Sequence, residues 1–385
     1  MKSQSEKTGT GKRHPLTAYL FPHPIVLAAL IFFGCAYRYS TVAEEVGGES
    51  ALETLYTADC ERTVYQPRGE PEERTVYQPH GEPEEPAVVE PRFALIPQSA
   101  HPGYPVAVAF GYNFETLEAG VQDLHAALLT AEGRRLTRAV FFPLPGQEGD
   151  EQPVKVAIFA IPSTAPFGDV IVRVESANGV IRDLPFSIES RQFHSETIYL
   201  DQRNTDLRTT PDPQRTAESQ HIWALFNRTG TEVYTWDVFA RPVTATRRTS
   251  LYGSRRIFQY TSGGSDMTVH NGIDYGVPTG TDVMASARGR VVLARPRIIT
   301  GKSVVLEHLP GVYSIYYHLD SLAVSEGEIV EAGAILGQSG MTGLATGPHL
   351  HWEIRVSGEA ADPDAFLSRP ILDKNEILSH LNGNW

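Results

Sequence analysis

Polar and apolar residues alternate strictly along 349–356. His349, His351, Glu353 and Arg355 fall on one parity, and Leu350, Trp352, Ile354 and Val356 on the other. Successive side chains point to opposite faces of a strand. The run therefore predicts a strand with both imidazoles on one face and a core-forming apolar face behind them. The run 312–319 predicts a second strand, with Val312, Ser314, Tyr316 and His318 on one face and Tyr313, Ile315, Tyr317 and Leu319 on the other. A Pro310-Gly311 turn would join it to 304–309 as a hairpin. His308 then shares the face of Val304 and Leu306 and could point to the same groove, although a structural role is expected for it. Upstream, Val156, Ile158 and Ala160 alternate, as do Val170, Val172 and Val174, and Asn178-Gly179 marks a tight hairpin into 180–188.

Helical periodicity is scarce. The runs 196–208 and 220–226 read as short helices or strands, and WDVFARPV at 236–243 reads as a strand. The expected architecture is all-β. A β-sandwich covers 91–190, where turn signals recur at sandwich spacing. A connecting segment follows over 191–245, then an antiparallel β domain over 246–370 and a C-terminal tail over 371–385.

The first 90 residues break this pattern. A basic lead (Lys2, Lys7, Lys12, Arg13) precedes an unbroken apolar run at 25–33, then Gly34 and Cys35. Residues 1–38 thus read as a secretory signal or a membrane or lipid anchor. The apolar run is shorter than the roughly 20 residues a spanning helix needs, which favours a cleaved signal or a lipid on Cys35 over a single-span anchor. Either form exports the chain to the cell envelope. Residues 39–90 are acidic and Pro-rich, with a 12-residue repeat, RTVYQPRGEPEE at 62–73 and RTVYQPHGEPEE at 74–85. Such composition buries too little apolar surface to fold and predicts an extended spacer. The net charge of −13 and the absence of a basic patch disfavour nucleic-acid binding. With 2 Cys, at positions 35 and 60, a disulfide framework inside either β domain is excluded.

The candidate chemistry lies in HNGID at 270–274 and HLH at 349–351. His270, Asp274 and His351 are nitrogen and oxygen ligands of the kind a catalytic zinc takes, three from the protein with one position open. Alone, each string is weak: with 13 His in 385 residues, HxH arises by chance about 0.4 times. A single His on a strand is more often structural than a ligand. The strings gain weight from standing within about 80 residues of each other, with YYHL at 316–319 between them. Asp282 reads as a turn or strand-start residue and Tyr260 as a cleft-lining candidate. The segment VSEGEIVEAGAILG at 324–337 looks like part of a lipoyl-type carrier barrel, but no Lys occurs between Lys302 and Lys374, so its glycines are turn positions.

Residues 245–366 resemble the lysostaphin/LytM-type zinc endopeptidases, which cut peptides of bacterial peptidoglycan. The resemblance rests on SLYGSRRIF at 250–258, HNGIDYGVPTGTDVMA at 270–285, YYHL at 316–319 and SGMTGLATGPHLHWE at 339–353. It implies Zn2+ on His270, Asp274 and His351, with His318 and His349 as the catalytic pair that orients water and carries protons. It implies a peptidoglycan peptide as substrate and leaves protein partners unknown. FAIPSTAPFGDVIVRV at 159–174 resembles the immunoglobulin-like domain that precedes the catalytic domain in some members. Absence of HExxH excludes the glutamate-base scheme of thermolysin-type enzymes. Two other readings remain open: a non-enzymatic envelope module that activates another cell-wall hydrolase, and a zinc peptidase acting on a protein.

Overall fold

The alternating runs form strands in the computed structural model, which describes residues 91–111, 123–144, 153–228 and 230–383. The expected signal or anchor, the spacer with its repeat, Cys35 and Cys60 lie outside the described residues.

Two sheets form over the first part. One has four antiparallel strands ordered Arg92–Ile96, Pro105–Gly111, Val154–Ala160 and Phe142–Pro143. The other has five, with Gly168–Ser176 between Gly179–Ile188 and His125–Leu129. Leu95, Val108, Phe110, Ala157 and Phe159 of the first sheet pack against Leu128, Val170, Val172, Val174 and Phe186 of the second. The first sheet is apolar on its other face as well. Ala94, Ala107, Val156 and Ile158 belong to the same core as Trp352, Ile354, Phe366 and Leu381. The sandwich and the C-terminal domain are thus welded through one core. Ser357 Oγ donates to Ile158 O (2.6 Å) across the seam, and Arg191 spans it by donating to Pro102 O (2.9 Å) and pairing with Asp362 (2.5 Å). The segment 371–385, expected as a tail, carries a helix at Lys374–Asn382 that sets Ile377 and Leu381 into this core.

The C-terminal domain is built on a sheet of ten strands. Its main path runs Arg248–Ser250, Gly272–Tyr275, Leu350–Val356, Val312–Leu322, Gly301–Leu309, Gly289–Arg297, Ile329–Val330. All of these neighbours are antiparallel. Leu350, Trp352, Ile354 and Val356 enter the core, so the opposite face of that strand carries His351, Glu353 and Arg355 as the alternation predicts. The Pro310-Gly311 hairpin forms, with Leu309 opposite Val312. Asp282 opens a short strand, Asp282–Met284.

Three expectations need correction. The strict alternation at 312–319 fails at its end. His318 takes a left-handed backbone (φ 63°), and the pairing with Gly301–Leu309 slips between Val304–Tyr316 and Lys302–Leu319, a bulge of one extra residue. Leu319 consequently joins Val312 and Tyr316 in the core, while His318 is released from that face. Second, WDVFARPV is not a strand. Its backbone bonds go to separate elements, Phe239 N–H to Phe366 O (2.9 Å) and Ala240 N–H to Ser286 O (2.7 Å), so it runs as a strap rather than in a ladder. Third, His308 does not reach the groove. The Val304 and Leu306 face is the core face, and there His308 Nδ1–H donates to Arg288 O (2.8 Å) and Nε2 accepts from Ser314 Oγ (2.7 Å).

Burial holds His308 neutral and lowers its pKa to about 4. An unfolded chain protonates this ring near pH 6.5, so the folded state loses stability as pH falls from about 6.5 towards 4, by about 1.4 kcal/mol per pH unit at most. Thermal unfolding followed over that window should show the loss, and a His308→Gln variant should show a shallower slope.

Candidate metal centre

The sheet register brings the candidate residues together. Asp274 lies directly opposite His351 in the pairing of Gly272–Tyr275 with Leu350–Val356, and cross-strand partners share a face. On the other side Tyr317 lies opposite His351, and the two rings stack at 5.4 Å and 10°. His270 enters from the end of the Ser265–Val269 strand. Gly272 permits the approach, since a Cβ there would collide with the Trp352 carbonyl.

His270 Nε2, Asp274 Oδ1 and His351 Nδ1 form a nearly equilateral triangle. The His270–Asp274 edge is 3.1 Å, the His351–Asp274 edge 2.9 Å and the His270–His351 edge 3.0 Å. Among the described residues this is the group of His, Cys, Asp and Glu side chains placed to hold a metal ion. All three are buried. Ligand atoms about 2.0–2.1 Å from a tetrahedral zinc sit about 3.3 Å apart, so the set fits that ion with little adjustment. The hydrogen bonds fix the tautomers the same way. His270 Nδ1 lies 2.9 Å from Leu251 O and His351 Nε2 3.2 Å from Glu353 Oε2. Each of those nitrogens can donate its proton outwards, so that the inward nitrogen would be available to a metal ion, the arrangement metal-bound imidazoles use.

Burial alone would raise Asp274, but His270 and His351 beside it hold its carboxyl well below the usual range. Burial alone would lower His351, but the Asp274 and Glu353 carboxylates raise it to about 9. Glu353 is itself held by Arg355, which lies over the rings of Trp223 and Phe226.

His318 and His349 border the triangle. His318 Nδ1–H donates to Thr342 O (2.7 Å) and His349 Nδ1–H to Gly347 O (2.8 Å), so both present Nε2 elsewhere. Their rings are 4.8 Å apart, and His349 Nε2 lies 3.9 Å from Asp274 Oδ1. His349 stands just before the Leu350–Val356 strand, in a single bridge to Gly340. Burial, and then the neighbouring His349 and His351, push His318 down to about 3, so it is neutral at ordinary pH. The bulge explains how it arrives. Strict alternation would bury His318 beside Tyr316, whereas a residue in left-handed conformation within a bulge re-aims its side chain. Such strain, of order 1–3 kcal/mol, is characteristic of functional positions.

The segment 191–245 contributes to the surroundings. It carries the strand Ser195–Tyr199, then α1 (Gln202–Thr209) and α2 (Pro213–Phe226). In α1, Asn204 Nδ2 donates to Ala345 O (3.3 Å) and Arg203 to Gly343 O (3.2 Å), in the loop that leads to His349. In α2, Ile222, Leu225 and Phe226 pack on Val305, Tyr313, Ile315 and Tyr317. A cleft between α2 and the sheet is lined by Arg215, Trp223, Arg297, Tyr317, Glu353 and Arg355. Tyr260, a cleft candidate in sequence, instead lies beside Arg208, whose Nε donates to its hydroxyl (3.1 Å).

Residues 268–363 match the family described as Peptidase family M23. Over 95 residues, 25% of this chain, the sequence is 41% identical to the DD-carboxypeptidase/endopeptidase Mpg of Neisseria meningitidis, of which it covers 22%. Over 89 residues, 23% of this chain, it is 43% identical to the peptidoglycan DD-endopeptidase ShyA of Vibrio cholerae, of which it covers 21%. The match thus spans about a fifth of the length of these curated relatives. Among solved structures, the catalytic domain of lysostaphin from Staphylococcus simulans is 32% identical, with 31% of this chain and 91% of that chain covered and a TM-score of 0.27. Residues 268–363 thus carry a peptidase family M23 domain.

Proposed function

We propose that this chain is a zinc-dependent endopeptidase that hydrolyses peptide cross-links of bacterial peptidoglycan. The observation that carries the reading is the convergence of three donor atoms, each with its proton or second partner turned outwards. His270, Asp274 and His351 would hold the ion. Zinc, when bound, supplies a water acidified towards pH 7 and a Lewis acid for the scissile carbonyl. His318 and His349 would do the rest through their Nε2 atoms. A neutral imidazole there can accept the proton of the attacking water and return it to the departing amine. A ring that has taken up that proton can also stabilise the negative oxygen of the tetrahedral intermediate. Tyr317, stacked on His351, and Glu353, accepting from it, would keep that ring in one orientation.

The substrate assignment follows the relatives, two of which are named for DD-endopeptidase or DD-carboxypeptidase activity. A wall substrate also agrees with the exported, spacer-borne arrangement expected from the first 90 residues. The intact set of five residues favours an enzyme over a silent activator. The test is metal content. The purified chain should carry one zinc per molecule, removable by chelator and restored by added zinc. A chain that binds no zinc at any tested concentration overturns the reading.

A further inference from the structure

We propose that Arg256 and Glu196 form a positioning pair that fixes Asp274 for the metal, resting on the zinc reading above. Only Oδ1 of Asp274 faces His270 and His351. Its second oxygen, Oδ2, is held by the Arg256 guanidinium. Arg256 is in turn held by Glu196, Nε to Oε1 at 2.6 Å, and the same carboxylate oxygen accepts from Ser250 Oγ at 2.7 Å. Ser250 stands 3.3 Å from His270 Nδ1. A continuous network therefore runs from Glu196 through Arg256 and Ser250 to two of the three donor residues.

Its origin is a strand pairing. Ser195–Tyr199 runs parallel to Arg255–Gln259, and Glu196 is the direct register partner of Arg256. Both lie upstream of 268–363. The carboxylate that would ligate the metal is thus oriented by a segment outside the matched peptidase region.

The physical case is orientation rather than charge. Arg256 is cationic and Glu196 anionic, so the pair adds no net charge beside the site. A carboxylate with both oxygens unheld can rotate about its terminal torsion and present either oxygen, or both. A planar guanidinium that grips Oδ2 through Nη2 and Glu196 through Nε leaves Oδ1 as the single donor. Lysine offers one point charge and cannot span both carboxylates. Partners of this kind commonly contribute 10–100-fold to metal affinity.

The zinc dissociation constant of the full chain, read by competition with a chromophoric chelator, tests this. The double variant Arg256→Met/Glu196→Gln removes both charges together and leaves the net charge unchanged. Its zinc dissociation constant should rise at least about tenfold, and Arg256→Lys should give an intermediate, several-fold rise. Thermal unfolding of the metal-free proteins separates this from simple destabilisation, because a merely structural pair lowers stability without moving zinc affinity. If the double variant does not fold, Arg256→Lys alone decides, its unchanged dissociation constant counting against the pair. A wild-type chain that binds zinc while the variants bind it as tightly overturns this inference alone. A wild-type chain that takes up no zinc overturns the metal reading and this inference together.

Discussion

His270→Ala is expected to abolish both bound zinc and peptide hydrolysis. The variant removes one corner of a triangle whose edges are all near 3 Å. Two protein ligands would remain, fewer than the three that catalytic zinc sites use. His270 is also tied to the fold through Leu251 O, so the vacated space is a small buried pocket rather than a collapsed strand. Metal analysis should fall from one zinc per chain to near none, and activity to background at ordinary zinc concentrations. Retained stoichiometric zinc would exclude His270 as a ligand.

His349→Ala should give the opposite dissociation: zinc retained, catalysis lost. His349 is the least buried imidazole of the four that converge with Asp274, and its ring is held by a hydrogen bond from Nδ1 to Gly347 O. Its removal leaves the three donor atoms in place. Loss of a positioned proton-transfer group costs typically 10²–10⁴-fold, about 3–5 kcal/mol of barrier. The fall should appear in kcat, with zinc content and thermal stability close to those of the wild type. A fall of less than about fivefold would remove His349 from the proton-handling role. His318→Ala tests the partner residue less cleanly, because the same change keeps a Cβ on a left-handed backbone and empties a buried position.

Period-two alternation made much of this centre legible. It placed His351, Glu353 and Arg355 on one face, because an apolar face of Leu350, Trp352, Ile354 and Val356 had to be buried behind them. The hairpin at Pro310-Gly311 was legible from turn chemistry. The route of His318 was not. Alternation alone points it at the core, and only the one-residue bulge turns it towards His349. Bulges depend on the partner strand, here Gly301–Leu309, and leave no local mark. The same limit hid Arg256 and Glu196, which meet through a parallel register between residues 60 apart. In Val154–Ala160 the alternation Val156, Ile158, Ala160 marks one apolar parity. The other parity, Ala157 and Phe159, is equally buried, because that sheet lies between the second sheet and the C-terminal domain. The helix at Lys374–Asn382 leaves no visible period in the sequence, because its apolar anchors, Ile377, Leu378 and Leu381, span little more than one turn.

Among the described residues no helix is long and apolar enough to cross a membrane. Placement of the peptidase domain beyond a spacer would suit a substrate that lies at a distance from the membrane.

The most direct test of zinc-dependent cross-link cleavage is digestion of isolated sacculi by the purified chain, with mass analysis of the released fragments. Cross-linked peptides should decline as uncross-linked ones rise, each cut adding one water. Chelator should stop the change and added zinc should restore it. A zinc-loaded chain that leaves the fragment pattern unchanged, or that cuts equally well in chelator, would contradict the account.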